Sequence, residues 1–166
     1  RHFIVILGKT FRTVAMVFFL ISTSQAFGWI LSYLKIPHMV TEMFLSISDN
    51  PYIIMLLINI LLLLLGAPMD MAPLILIMTP ILYPVVTSIG IDPVHFGIIM
   101  ILNLGIGLVT PPVGTVLFVG CAIGKVTVEA ASKALIPFFF ALCAVLMFIT
   151  YVPEVVMWLP NMMAGR

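Results

Sequence analysis

The chain has 166 residues, of which 63% are hydrophobic and 8% charged, with a net charge of +1 and a mean hydropathy of +1.32. Soluble domains carry about 25% charged residues, so this composition indicates an all-α integral membrane protein. The basic residues form no tract, which excludes a nucleic-acid-binding surface. Cys121 and Cys143 both lie in apolar runs and read as small buried hydrophobes, not as a disulfide or metal pair.

The chain starts in mid-pattern at Arg1, without a signal peptide, and is expected to be the C-terminal part of a longer protein. Residues 13–34 carry no charge and suffice for one membrane span. The centre of that span is polar, with Ser22, Thr23, Ser24 and Gln25 followed by Gly28. Two roles fit, a close-packing face against another helix or a contact to substrate or ion. Residues 37–48 read as an amphipathic helix in the membrane interface: Met39, Val40, Met43, Phe44 and Ile47 recur at helical spacing, opposite His38, Thr41 and Glu42.

Asn50-Pro51 is a helix-start signal, and the apolar run it opens stops at Gly66-Ala67-Pro68. Asp70 can cap a second arm that runs to Ser88 with Pro80 and Pro84 inside it. Residues 51–89 are therefore either two full spans or a re-entrant hairpin whose tip stays in the membrane. A tip with one acid and no Lys or Arg favours the hairpin.

Asp92-Pro93 starts an uncharged segment, 92–124, whose middle contains Asn103, Gly105, Gly107, Thr110, Pro111, Pro112 and Gly114. Proline lacks an amide proton and disfavours helix at the residue before it, so this segment is predicted to be a broken helix. His95 sits in its first turn, near the interface, and receives no role. Residues 127–133 read as a short interfacial helix and 134–158 as a last span, with Tyr151 and Trp158 at its exit. Counting crossings puts Arg1, Lys9, Arg12, Lys125 and Lys133 on one side and most of the acids on the other. The basic side is expected to be cytoplasmic.

Each break leaves free carbonyls at one half-helix end and free amides at the next. The carbonyl ends suit a monovalent cation, and the amide end suits a carboxylate. The expected ion-binding set is Gly66, Asp70, Asn103, Gly105, Gly107 and Thr110, with Asn103 offering a side-chain oxygen and Thr110 a hydroxyl. The expected substrate-binding set is Pro112, Val113, Gly114 and Thr115. For Asp70 a cap, an ion ligand and a proton relay all remain open, the first two being compatible. His2, His38 and His95 are isolated from one another and no acid–base pair recurs in one segment, so an enzyme is a poor reading.

The run from Asn103 to Gly114, followed by Leu117, Phe118 and Val119, resembles the C-terminal half of the large membrane subunit of TRAP transporters, the tripartite ATP-independent periplasmic transporters. Gly66 to Asp70 with Pro73, Thr79 and Pro80, then Gly90 to Gly97, together with Ala26 to Trp29 and Asn50-Pro51, match that family in order and spacing. The resemblance implies an elevator-type fold of the ion-transporter superfamily, built from two inverted repeats with one re-entrant hairpin and one broken helix each. It also implies a bacterial inner membrane location, Na+ as coupling ion with no other cofactor, a small membrane subunit and a soluble periplasmic binding protein. The binding protein would deliver an organic acid such as a C4-dicarboxylate, sialic acid or a keto-sugar acid. Gly66 to Asp70 would be a hairpin tip, and Asn103 to Gly114 would line one sodium site and one wall of the substrate site. The first repeat is absent, so this segment alone is not expected to transport. The rival expectations are a divalent anion/sodium symporter without a binding protein and a non-transporting structural membrane subunit.

Overall fold

The computed structural model describes residues 2–110 and 114–164. Among them are eight helices: α1 (His2–Tyr33), α2 (Ile36–Ile47), α3 (Pro51–Gly66), α4 (Met71–Ser88), α5 (Pro93–Leu108), α6 (Thr115–Gly124), α7 (Val128–Tyr151) and α8 (Pro153–Ala164). The helix starts follow the capping chemistry of the sequence. Asn50 Oδ1 accepts from Tyr52 N at 2.9 Å and Asp92 Oδ1 from Val94 N at 2.8 Å, with Pro51 and Pro93 filling the first helical position.

α4 ends in a Schellman turn: Ile91 N donates to Val86 O and Gly90 N to Thr87 O, with Gly90 at φ 81 where an L side chain is disfavoured. This tight turn sends α5 back alongside α4. The core lies between α3, α4 and α5. It contains Ile54, Ile58 and Leu62 of α3, Leu74, Leu82 and Val85 of α4, and Phe96, Ile99 and Leu104 of α5, joined by Leu146 of α7. With Met78 and Met100, also buried, these positions recur at helical spacing, so each helix turns one stripe inward and leaves its other faces apolar and exposed. α1, by contrast, buries only Leu31 among its described side chains.

Among the described residues, three helices, α4, α7 and the Ile6–Tyr33 part of α1, are long and apolar enough to cross a membrane. α3 and α5, at 16 residues, reach about 24 Å each, short of a hydrocarbon core of about 30 Å.

The last third differs from the sequence expectation. The interfacial piece expected at 127–133 is the first part of α7, which runs unbroken to Tyr151. Thr127 Oγ1 caps it through Ala130 N at 3.3 Å, and Ser132 bonds back to Val128 O, so Lys133 falls within a regular helix. The span expected over 134–158 is divided at Val152, because Pro153 holds Val152 out of helical conformation (φ −124, ψ 77). α1 is likewise one helix from His2, so Lys9 and Arg12 lie on it and not before it.

Candidate functional site at the ends of helices α3 and α5

α3 and α5 start at the same end of the bundle and run side by side. Tyr151 Oη donates to Tyr52 O at 3.3 Å at the start of α3, and His95 Nε2 lies 2.9 Å from Ile149 O at the start of α5. Their other ends converge. A Cβ on Gly107 would lie 2.7 Å from both the carbonyl carbon and the oxygen of Gly66, and one on Gly66 would lie 3.3 Å from Leu104 Cδ2. Only hydrogen at position 107 lets the two backbones approach this closely, while a Cβ at position 66 would press on the Leu104 side chain alone. The carbonyl ends of two half-helices therefore meet at one place.

Asn103 is fully buried one turn before Gly107 on the same face of α5. Its Nδ2 donates to Asn59 O at 3.0 Å and to Asn59 Oδ1 at 2.9 Å. Asn59 Nδ2 in turn donates to Thr150 Oγ1 at 3.0 Å, and the Thr150 hydroxyl donates to Leu146 O at 2.7 Å. A chain of polar contacts thus joins α5, α3 and α7 through an apolar core. Asn103 Oδ1 is buried without a hydrogen-bond partner, an acceptor left open.

Thr110 closes the end of α5. Its N–H donates to Gly107 O at 3.0 Å and its hydroxyl to Ile106 O at 2.7 Å, which leaves the hydroxyl oxygen able to accept or to ligate a cation. Gly114 N donates to Thr110 O at 3.2 Å, and a Cβ on Gly114 would lie 2.5 Å from Leu108 O. α6 follows with no side-chain cap, so the amides of Thr115, Val116 and Leu117 have no acceptor within the helix. α4 is the opposite case: Asp70 Oδ1 accepts from Met71 N at 3.0 Å, already placing a carboxylate on that helix start.

The residues expected from sequence thus separate. Gly66, Asn103 and Gly107 share the seam between α3 and α5, whereas Thr110, past the end of α5, borders a hollow lined by α7. Gly105 lies on another side of α5, with nothing within 4 Å of where its Cβ would be. Asp70 is exposed and serves as a cap. Gly114 is buried at the start of α6, which Thr115 opens, while Pro112 and Val113 lie outside the described residues. Asn59, Thr150 and His95 were missed. Asn59 is a lone amide in a run of Leu and Ile, and a polar residue at membrane depth is itself a signal. His95, expected near the interface without a role, is 2% exposed and ties α5 to α7.

The family model for the tripartite ATP-independent periplasmic transporter DctM component matches residues 1–155. Over 165 residues the chain is 40% identical to the sialic acid TRAP transporter large permease protein SiaM of Vibrio cholerae, covering 99% of this chain and 39% of that one. It is 36% identical over 156 residues to the C4-dicarboxylate TRAP transporter large permease protein DctM of Pseudomonas aeruginosa, covering 94% and 36%. The protein YgiK of Salmonella typhimurium is 47% identical over 152 residues, covering 92% and 35%. The chain therefore spans well under half the length of these relatives. With its apolar helices and this match across nearly its whole length, the chain belongs to the DctM family of large membrane permeases of TRAP transporters.

Proposed function

We propose that this chain is the part of a sodium-coupled TRAP permease that supplies one ion site and one wall of the solute site. The observation that carries the reading is the seam where Gly66 and Gly107 meet. Two carbonyl-bearing helix ends meet there, with the open oxygen of Asn103 one turn before Gly107 and the Thr110 hydroxyl just past the end of α5. Such a donor set is neutral and all oxygen, which suits a monovalent hard cation. The uncapped start of α6 is the place for a solute carboxylate, with Gly114 letting the backbone come close.

In this reading α3 and α4 form a re-entrant hairpin, and their tip at Gly66–Asp70 stays within the membrane. The shortness of α3 supports it. Hairpin and broken helix move together in elevator-type alternating access. The solute is a small organic acid, delivered by a periplasmic binding protein to a permease that also holds a small membrane subunit. Support for an organic acid comes from the names of relatives, which specify sialic acid, 2,3-diketo-L-gulonate and C4-dicarboxylate. The protein sits in the bacterial inner membrane.

Uptake of these acids into proteoliposomes tests the reading, using the full-length permease, its small subunit and its binding protein, with and without an inward sodium gradient. Sodium-dependent uptake is expected, with Thr110→Val raising the sodium concentration needed for half-maximal rate. Uptake indifferent to sodium would remove the coupling, and absence of uptake by the complete complex would favour a structural subunit.

A further inference from the structure

The buried polar relay has a direction, and one hydroxyl sets it. Asn59, Asn103 and Thr150 are all buried in a core that is otherwise mostly apolar. The Thr150 hydroxyl has one proton, which goes to Leu146 O at 2.7 Å. Toward Asn59 the hydroxyl oxygen then only accepts, so Asn59 must present its Nδ2, 3.0 Å away. That turns Asn59 Oδ1 to α5, where it accepts from Asn103 Nδ2 at 2.9 Å. The main-chain oxygen of Asn59, also an acceptor only, takes the same nitrogen at 3.0 Å. Asn103 thus meets α3 with its nitrogen, and its Oδ1 is the end of the relay left without a donor.

The opposite direction has the same atoms and a different outcome. Thr150 would donate to Asn59 Oδ1, and Asn59 Nδ2 to Asn103 Oδ1, leaving Asn103 Nδ2 as the open group. An open amide oxygen ligates a cation, whereas an open NH2 repels one. Reversal would set Asn103 Oδ1 against the Asn59 carbonyl, acceptor to acceptor, and take the Thr150 proton from Leu146 O. The neighbouring residue of α7 does a different job. Pro153 has no N–H, so Ile149 O lacks a helical donor, and His95 Nε2 supplies one at 2.9 Å. That bond closes an acceptor, whereas the relay, one residue on, leaves one open.

We infer that Thr150 and Asn59 are positioning residues for the cation site: the direction of the relay holds the Asn103 amide with its oxygen, and not its nitrogen, offered to the ion. The inference rests on the reading that Asn103 Oδ1 ligates sodium. It adds that the orientation of this ligand is fixed from α7, through a hydroxyl that does not itself touch the ion.

A sodium titration of thermal unfolding tests it, on the full-length permease with its small subunit and with choline replacing sodium at constant ionic strength. The unfolding temperature rises once sodium exceeds its dissociation constant, so the onset of that rise reports affinity without turnover. Thr150→Val and Thr150→Ala are read together, so that one folded variant suffices. Both are expected to move the onset to about fivefold higher sodium, the worth of one ordinary hydrogen bond, and Thr150→Ser to restore it. Asn103→Leu is expected to move it at least as far, and Thr150→Val to add nothing in the Asn103→Leu background, because it acts only through Asn103. His95→Phe, which cuts the bond to the adjacent Ile149 O, is expected to lower the unfolding temperature in both salts and leave the onset in place. A wild-type onset in the Thr150 variants beside a shifted one in Asn103→Leu would overturn the positioning role and leave the sodium reading intact. An additive double variant would also overturn it, as would a His95→Phe shift of the same size, which would assign the effect to a loosened α7. A wild-type onset in Asn103→Leu would instead overturn the sodium reading of Asn103, and this inference with it.

Discussion

Gly107 rests directly on the peptide group of Gly66: a Cβ on Gly107 would lie 2.7 Å from that carbonyl carbon and oxygen. No side chain can yield there, because the obstacle is backbone. Gly107→Ala is therefore expected to part α3 from α5 and to destabilise the permease by about 1–3 kcal/mol, as overpacked cores do. Two residues earlier, Gly105 has nothing within 4 Å of its Cβ position. Gly105→Ala is expected to leave stability unchanged or raise it by up to about 1 kcal/mol, from helix propensity alone. Thermal unfolding of the two variants in detergent checks the contrast. A Gly105→Ala permease that is stable but impaired in uptake would place that glycine against solute or against the rest of the permease.

The amide pair predicts an interaction energy. Asn103→Leu leaves Asn59 Oδ1 without its donor, and Asn59→Leu removes one of the two acceptors of Asn103 Nδ2 and the donor to Thr150 Oγ1. Each is expected to destabilise by about 1–3 kcal/mol, and the double substitution by less than the sum, because removing both partners leaves fewer orphans. A double-mutant cycle on thermal or denaturant unfolding measures this. Strict additivity would show that the two amides act independently.

Asp70 separates cap from charge. Asp70→Asn keeps a capping oxygen for Met71 N, whereas Asp70→Ala removes it. The alanine variant is expected to lose about 1 kcal/mol and the asparagine variant a few tenths. Sodium titration of uptake gives the second readout. If the exposed carboxylate is only a cap, both variants keep the wild-type sodium dependence. A shift in Asp70→Asn would make it an ion ligand.

His95→Phe keeps the ring and removes the bond to Ile149 O. The expected loss is about 1 kcal/mol, felt at the end of α7. Hydrogen exchange should quicken at residues 149–153 and not at the Gly66 turn. Uniform quickening would show that His95 supports the whole core and not one contact.

Much of this architecture was legible in the sequence because helix boundaries here are written in local chemistry. Asn50-Pro51, Asp70 and Asp92-Pro93 each mark a start that the structure caps with that same side chain. Gly66 and Gly107 were legible as interruptions, though not as partners, since contact between residues so far apart in sequence depends on packing. Gly105 and Gly107 look alike in sequence and differ only in which side of α5 faces α3. The amide relay was half legible. Asn103 stood out beside glycines and prolines, while Asn59 and Thr150 were masked by the apolar runs around them. The start of α7 was misplaced because Lys133 read as a boundary, whereas a long cationic side chain near a helix end can reach the interface without ending the helix.

The relay through Asn103, Asn59 and Thr150, together with the contacts of Tyr151 and His95, ties α3 and α5 to the last turn of α7, at Ile149, Thr150 and Tyr151. Helices tied at that turn cannot part there without breaking these polar bonds. Whatever displacement such a unit undergoes must be taken up at its margins, as rotation about the few residues where regular hydrogen bonding lapses. Ser48–Asn50 ahead of α3 and Val152 ahead of Pro153 are two such places, and they make the trio a lever with pivots at its ends.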